Sequence, residues 1–248
     1  MNLRTPALAI YLMAGEGLPA HAAAAVAAGA TAIEVGIPFS DPLADGPTIQ
    51  RAAQAALAAG MTPPRCLEAL AATRARLGDE IPLIPMTYAA IVERYGVARF
   101  CADAAAAGAN GLIVAYVPPD DGDELQAASA RNGIDLVQLI SLTSADERLA
   151  MACRTSRGFI YVVSAIGTTG AREELDVARL TGLLERVRVH AGALPLLCGF
   201  GVSSAAQVGD LRAAGADGVI VGSAAIAALE SGGVAALGEL VGSLAGAL

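Results

Sequence analysis

Short β-branched runs alternate with longer alanine-rich segments along the whole chain, and this alternation restricts the fold more than any other feature of the sequence. Strands that are separated by helices pair in parallel through right-handed crossovers, and eight of them are the number that closes a β/α barrel. We therefore predict an α/β fold, a single (β/α)8 or TIM barrel. The predicted strands are Ala9–Ala14, Ala32–Ile37, Leu83–Tyr88, Gly111–Val117, Leu136–Ile140, Phe159–Ser164, Pro195–Gly199 and Gly218–Gly222.

No stretch rich in proline and serine divides the sequence, which predicts one domain over residues 1–248. The first predicted strand starts within about ten residues of Met1, so we expect no extra N-terminal helix. About 45 residues separate the second and third strands, enough for a loop and two helices, Ile49–Ala59 and Pro64–Leu77. Active sites of such barrels lie in the loops that follow the strands. This long connection is therefore the first candidate for a site.

All 16 basic residues are arginine, and the absence of lysine excludes mechanisms that need a Schiff-base lysine, including the anchoring of pyridoxal phosphate. The four cysteines are far apart and neither C-x-x-C nor H-E-x-x-H spacing occurs, so we predict no metal site and a reducing, cytoplasmic location. A net charge of −8 argues against a nucleic-acid partner. The lack of a strongly apolar run of about 18 residues argues against a membrane span.

Glu34 stands near the end of the second predicted strand. Side chains alternate across a strand, so Glu34 shares a face with Ala32, whereas Ile33 and Val35 share the face expected to meet the helices. This alternation aims Glu34 into the mouth of the barrel, where loss of water would raise its pKa and suit it to acid–base catalysis. The alternative is a strand-end glutamate that reaches solvent.

The loop after this strand contains Pro38, Pro42 and Pro47, which restrict its backbone around two aspartates. We expect it to place Asp41 and Asp45 near Glu34, where carboxylates in different environments take different roles. The alternative is that these are ordinary turn residues.

Glycines recur at the ends of the last three predicted strands, in Gly167–Gly170, Gly199–Gly201 and Gly222–Ser223. Loops at these positions, together with a helix N-terminus, are the usual phosphate site of such barrels, because glycine lets backbone N–H groups approach an anion closely. The glycine pattern therefore predicts phosphate binding.

The segment Glu34–Gln50 closely resembles the signature of the tryptophan synthase α subunit family, and the resemblance extends from Tyr11 to the C-terminal helices. It implies a retro-aldol cleavage of indole-3-glycerol phosphate to indole and D-glyceraldehyde 3-phosphate. By this resemblance Glu34 protonates indole C3, Asp45 balances charge at the indole nitrogen, and Thr169 holds Asp45. Tyr11, Tyr161 and Phe200 line the indole pocket, and the phosphate lies at Gly170, Gly201, Gly222 and Ser223.

The resemblance also implies a β-subunit partner in an α2β2 assembly, which alone would carry pyridoxal phosphate. The sequence departs from the family pattern after the third strand, at Tyr88–Ala90, and after the fourth, at Tyr116–Pro118, where an Asp is usual. These departures leave two further hypotheses open: a stand-alone lyase that releases indole, and a non-catalytic regulatory subunit of the same fold. A different phosphate-binding barrel, such as a sugar-phosphate isomerase, is a weaker alternative.

Overall fold

A computed structural model describes residues 1–118, 120–164 and 176–248 of the chain. Its eight strands follow one another around a closed parallel barrel, in which β8 pairs with β1. The predicted TIM barrel is confirmed, with strand ends that differ from the predicted ones by at most two residues. The strands are β1 Ala7–Met13, β2 Ala32–Gly36, β3 Leu83–Tyr88, β4 Gly111–Ala115, β5 Asp135–Ser141, β6 Ile160–Val163, β7 Leu196–Gly199 and β8 Gly218–Val221.

Helices alternate with these strands and cover the outside of the barrel. Two of them lie between β2 and β3, as the length of that connection predicted, and both begin at a proline, whose fixed φ suits the first helical turn. A second pair between β3 and β4 was not predicted. The helices are α1 Leu18–Ala27, α2 Pro47–Ala58, α3 Pro63–Leu77, α4 Ala89–Tyr95, α5 Val97–Ala106, α6 Asp123–Arg131, α7 Asp146–Thr155, α8 Val177–Ala191, α9 Ala205–Ala213 and α10 Ser223–Ala245.

The side chains of the strands alternate between two packing layers, as a period of two requires. Ile33 and Val35 pack outward among the helices, whereas Ala32 belongs to the interior of the barrel. Small residues on β1 and β2 face large ones on the other strands, and these side chains fill the lower interior. The interior cluster continues up to the pocket residues Tyr161, Phe200 and Ile220, and it comprises Ala7, Ala9, Ala32, Ile84, Ile113, Val137, Phe159, Tyr161, Leu197, Phe200 and Ile220.

Helix α10 is long and apolar enough to cross a membrane when length and composition alone are considered. Its helical backbone is interrupted at Gly232 and Gly233, where Gly233 takes a φ of 62°. Buried residues on both sides of the interruption, among them Ile226 and Leu237, pack against the rest of the barrel. The helix therefore serves as a part of the barrel's outer layer.

Candidate functional site

Glu34 lies inside the barrel near its C-terminal mouth, with Tyr11 and Ile84 beside it on the neighbouring strands β1 and β3. Its side chain is buried, only 1% exposed, and among the described residues its Oε2 atom has no hydrogen-bond partner. Burial first, and the nearby charge of Asp45 second, raise the pKa of Glu34 to about 8. At neutral pH the carboxyl group is therefore mostly protonated, and it lines an open pocket.

Asp45 reaches the same pocket from the loop between β2 and α2. The loop is fixed locally: the Asp45 N–H donates to the carbonyl of Pro42 at 3.1 Å, and Nε2 of Gln50 donates to the carbonyl of Asp45 at 2.7 Å. Burial raises the pKa of Asp45. Asp41 differs, because it is exposed and accepts a hydrogen bond from the Ser40 hydroxyl at 2.5 Å. The expectation that both aspartates approach Glu34 is thus wrong for Asp41, whose short polar side chain turns to solvent.

Tyr88 is a site residue that the sequence reasoning did not assign. It ends β3, and its hydroxyl donates a 2.8 Å hydrogen bond to Oδ2 of Asp45. This bond favours the charged carboxylate and opposes the effect of burial on the pKa of Asp45. The family resemblance implies that Thr169 holds Asp45, but Thr169 lies outside the described residues. Its position at the end of a predicted strand could have identified Tyr88 as a site residue, because functional side chains of such barrels lie at the C-terminal ends of the strands.

Tyr11 and Tyr161 form two walls of the pocket, and each lies across a glycine of a neighbouring strand. A Cβ added at Gly36 would lie 2.0 Å from the hydroxyl oxygen of Tyr11, and one added at Gly199 would lie 2.3 Å from that of Tyr161. No side chain larger than hydrogen fits at either position without moving the ring. The two glycines therefore create the room that these tyrosines need.

Phe200 packs edge-on against Tyr161, with ring centroids 5.8 Å apart and planes at 78°. Its φ of 73° lies in the left-handed region, which a bulky residue adopts only when its surroundings hold it there. Ser164 provides that restraint, because its buried hydroxyl lies within hydrogen-bond distance of the carbonyls of Gly199 and Phe200, at 2.5 and 2.6 Å. Ser164 is a second residue of the site that the sequence reasoning missed.

Three of the four predicted phosphate residues line the same pocket. Gly201, Gly222 and Ser223 all line it, and Ser223 is the first residue of α10. The unpaired N–H groups of a helix's first turn, together with the helix dipole, favour an anion at this point. Gly170, the fourth predicted member, lies outside the described residues.

The pocket encloses about 440 Å³ of empty space, its open mouth included. It brings together the predicted residues Glu34, Asp45, Tyr11, Tyr161 and Phe200 with the three glycine-loop residues. The other lining residues are Ile49, Met86, Val202 and Ile220, so much of the pocket wall is apolar. An apolar pocket lined by two carboxyl groups and by glycine loops suits an aromatic ligand that carries an anionic group.

A protonated, buried glutamate beside a second carboxylate is an arrangement for transferring protons to and from a bound molecule. Together the fold and the site define a β/α-barrel enzyme of the acid–base type.

Comparisons with known proteins assign this enzyme to a family. The family model of the tryptophan synthase alpha chain matches residues 2–239. The chain belongs to this family, whose members are indole-3-glycerol-phosphate lyases of tryptophan biosynthesis. The tryptophan synthase alpha chain of Roseiflexus castenholzii is 46% identical over 230 residues, which cover 90% of this chain and 86% of the relative. That of Gluconacetobacter diazotrophicus is 48% identical over 204 residues, 82% of this chain and 73% of the relative.

Solved structures agree with the sequence relatives. A structure of Mycobacterium tuberculosis tryptophan synthase superposes with a TM-score of 0.87 at 40% identity, covering 97% of this chain and 91% of that one. Tryptophan synthase subunit alpha of Legionella pneumophila superposes with a TM-score of 0.87 at 31% identity, covering 97% of this chain and 92% of that one. The similarity thus extends over nearly the whole barrel.

Proposed function

We propose that this chain performs the retro-aldol cleavage of indole-3-glycerol phosphate with Glu34 as the proton carrier and Asp45 as the fixed anion. The observation that carries the proposal is the buried Oε2 of Glu34, which has no hydrogen-bond partner in the part of the chain that the structure describes, in a side chain that lines the same pocket as Asp45. A protonated carboxyl group placed in this way is ready to transfer its proton to a bound substrate.

The reaction then proceeds in two proton transfers. Glu34 gives its proton to C3 of the indole ring, which leaves a positive charge at the ring nitrogen that the Asp45 carboxylate balances. The Glu34 carboxylate next takes the proton of the hydroxyl on the carbon attached to C3. The carbon–carbon bond breaks, its electron pair returns to the indole ring, and the hydroxyl becomes the aldehyde of D-glyceraldehyde 3-phosphate. Glu34 ends protonated, and no further reactant is consumed.

The remaining residues of the pocket hold the substrate in this proposal. Tyr11, Tyr161 and Phe200 enclose the indole ring, since all three line the pocket. Backbone N–H groups at Gly201, Gly222 and Ser223 bind the phosphate at the start of α10, where the helix dipole supports a negative charge. Thr169 and Gly170 keep the roles that the family resemblance implies. The chemistry of this chain needs only its own side chains and the electron-accepting indole ring.

Release of indole from purified chain and indole-3-glycerol phosphate tests this function. We expect turnover by the wild type and a loss of at least about 100-fold in the Glu34→Gln variant. A wild type that binds the substrate without releasing indole would instead support the non-catalytic regulatory subunit. Indole release that is unchanged in Glu34→Gln would remove Glu34 from its role.

We further propose a tryptophan synthase β subunit as partner and the cytoplasm as location. The β subunit alone would hold pyridoxal phosphate and consume the indole. The departures from the family pattern lie in loops at the barrel mouth, where a partner would cover the pocket, and Tyr116 and Leu43 are exposed there. We therefore expect an unrelated β subunit to activate the chain by less than about tenfold, or about 1.4 kcal/mol of coupling. Activation of 100-fold or more from a nearly inert chain would contradict this expectation, whereas activity independent of any β subunit would favour the stand-alone lyase.

A further inference from the structure

Tyr116 occupies an unusual position directly after β4 at the barrel mouth. Its side chain is 61% exposed, so it gains little from burial. Its φ of 65° lies in the left-handed region, where a large side chain is strained and where glycine, asparagine and aspartate are favoured. The chain therefore keeps a strained tyrosine at an exposed place, and strain of this kind clusters at functional sites.

What Tyr116 contacts is the ring of Tyr88. The two ring centroids are 5.9 Å apart and the planes are inclined by only 22°, which is a stacked arrangement. Tyr88 also packs against Phe39, with centroids 5.1 Å apart and planes at 34°. Two aromatic neighbours thus restrict the ring whose hydroxyl donates to Oδ2 of Asp45.

We propose that Tyr116 is a positioning residue for Asp45 that acts through Tyr88. By stacking on Tyr88, Tyr116 keeps the Tyr88 hydroxyl directed at the Asp45 carboxylate, so that the carboxylate stays oriented towards the pocket. The inference rests on the proposed role of Asp45 in balancing charge that develops during the reaction. An interaction of this kind acts on kcat more than on KM, because the charge is largest in the transition state.

The test uses substitutions at Tyr116 that separate the effect of its aromatic ring on kcat from the effect of its strained backbone on stability. Tyr116→Asn removes the ring and relieves the strained φ, so we expect it to unfold at a higher urea concentration than the wild type and yet to lower kcat about fivefold with little change in KM. Tyr116→Phe keeps the stack and should stay within about twofold of the wild-type kcat. Val189→Asn, at an exposed apolar residue on α8 far along the chain from the site, is the matched control and should leave kcat unchanged.

A double-mutant cycle tests whether Tyr116 affects kcat through the hydroxyl group of Tyr88. Tyr88→Phe removes the hydroxyl donor but retains the ring, so Tyr116→Asn should have no further effect on kcat in that background. Equal effects of Tyr116→Asn in both backgrounds, or a wild-type kcat in Tyr116→Asn, would overturn the proposal.

A carboxyl ¹³C NMR titration gives a readout that does not depend on turnover, with the Asp45 resonance assigned from its loss in Asp45→Asn. Loss of the Tyr88 hydrogen bond removes an interaction that lowers the pKa of Asp45. We expect Tyr116→Asn to raise that pKa towards the value measured in Tyr88→Phe, and an unchanged pKa would overturn the proposal. Should the wild type fail to release indole, the proposed function fails, and this titration still decides whether Tyr116 positions Asp45.

Discussion

The two ends of the barrel interior are built from the same strands and serve opposite purposes. At the N-terminal end, Ile113, Val137 and Phe159 are fully packed, and Met1 and Leu3 close the opening from below. At the C-terminal end the same alternation presents Glu34 and Tyr11 to an open pocket. The lower layer is apolar and stabilises the fold, whereas the upper layer keeps a carboxyl group buried at a cost in stability. The close packing of the lower layer offsets the cost of burying Glu34.

The largest effect we expect on stability is at the lower end. Phe159→Ala would remove a fully buried ring from the interior cluster and lower the free energy of unfolding by about 3–5 kcal/mol. The site is on the other layer, so kcat per folded molecule should change by less than about twofold. Urea unfolding and active-site titration measure the two quantities, with Phe159→Leu as a milder control. A large loss of kcat in folded protein would mean that the two layers are coupled.

The second prediction concerns Glu34, at the C-terminal end of the barrel interior. Glu34→Gln keeps the shape of the side chain and removes the transferable proton, so kcat should fall by at least about 100-fold, which corresponds to about 2.7 kcal/mol. Stability near about pH 4 should be close to that of the wild type, because Glu34 is then mostly protonated in both the folded and the unfolded protein. Glu93→Gln, at an exposed glutamate on α4, is the matched control and should retain full activity. A near-wild-type kcat in Glu34→Gln would show that the upper layer does not supply the transferable proton.

The cost of burying Glu34 should be visible as a pH dependence of stability. The pKa of Glu34 is raised from 4.5 to about 8 in the folded protein, so between these values the folded state binds more protons than the unfolded one. The contribution of Glu34 is fully present below about pH 4.5 and is lost as pH rises, with a slope of up to about 1.4 kcal/mol per pH unit. Glu34→Gln should lack this slope, so its stability relative to the wild type should increase up to about pH 8. Parallel stability curves for the two proteins would show that Glu34 is not buried as described.

The smallest effect that we expect concerns Gly201, one of the proposed phosphate-binding residues at the C-terminal end of the barrel interior. Gly201 has a φ of 100°, so Gly201→Val would both strain the backbone and crowd the proposed cradle. We expect binding of D-glyceraldehyde 3-phosphate to weaken by at least about tenfold, or about 1.4 kcal/mol, and that of free indole to change much less. Calorimetry on both ligands measures this difference. Gly209→Ala, in open space on α9, controls for the loss of a glycine elsewhere. Equal weakening of both ligands would indicate general damage to the barrel.

The features that the sequence predicted correctly depend on interactions that are local along the chain. Alternation with a period of two placed Glu34 on the inner face of β2, and the same pattern with helical spacers predicted the eight-stranded barrel and the two helices after β2. These two helices were predicted over Ile49–Ala59 and Pro64–Leu77, and they begin within two residues of the predicted starts, at Pro47 and Pro63. These properties depend on backbone sterics and side-chain direction, which a few neighbouring residues decide.

Which residues meet at the mouth of the barrel could not be predicted before the whole chain was folded. Tyr88 and Asp45 are separated by 43 positions, and Ser164 and Phe200 by 36, so no local pattern links either pair. Nothing in the loop sequence distinguished Asp41 from Asp45. In the folded protein, however, Asp41 is exposed and Asp45 lines the pocket. Tyr116 could be noted as a departure from the family, but its stacking on Tyr88 required both strand ends in place. Closing the barrel brings the carboxyl ends of all strands to one rim, and contacts across that rim depend on the whole fold.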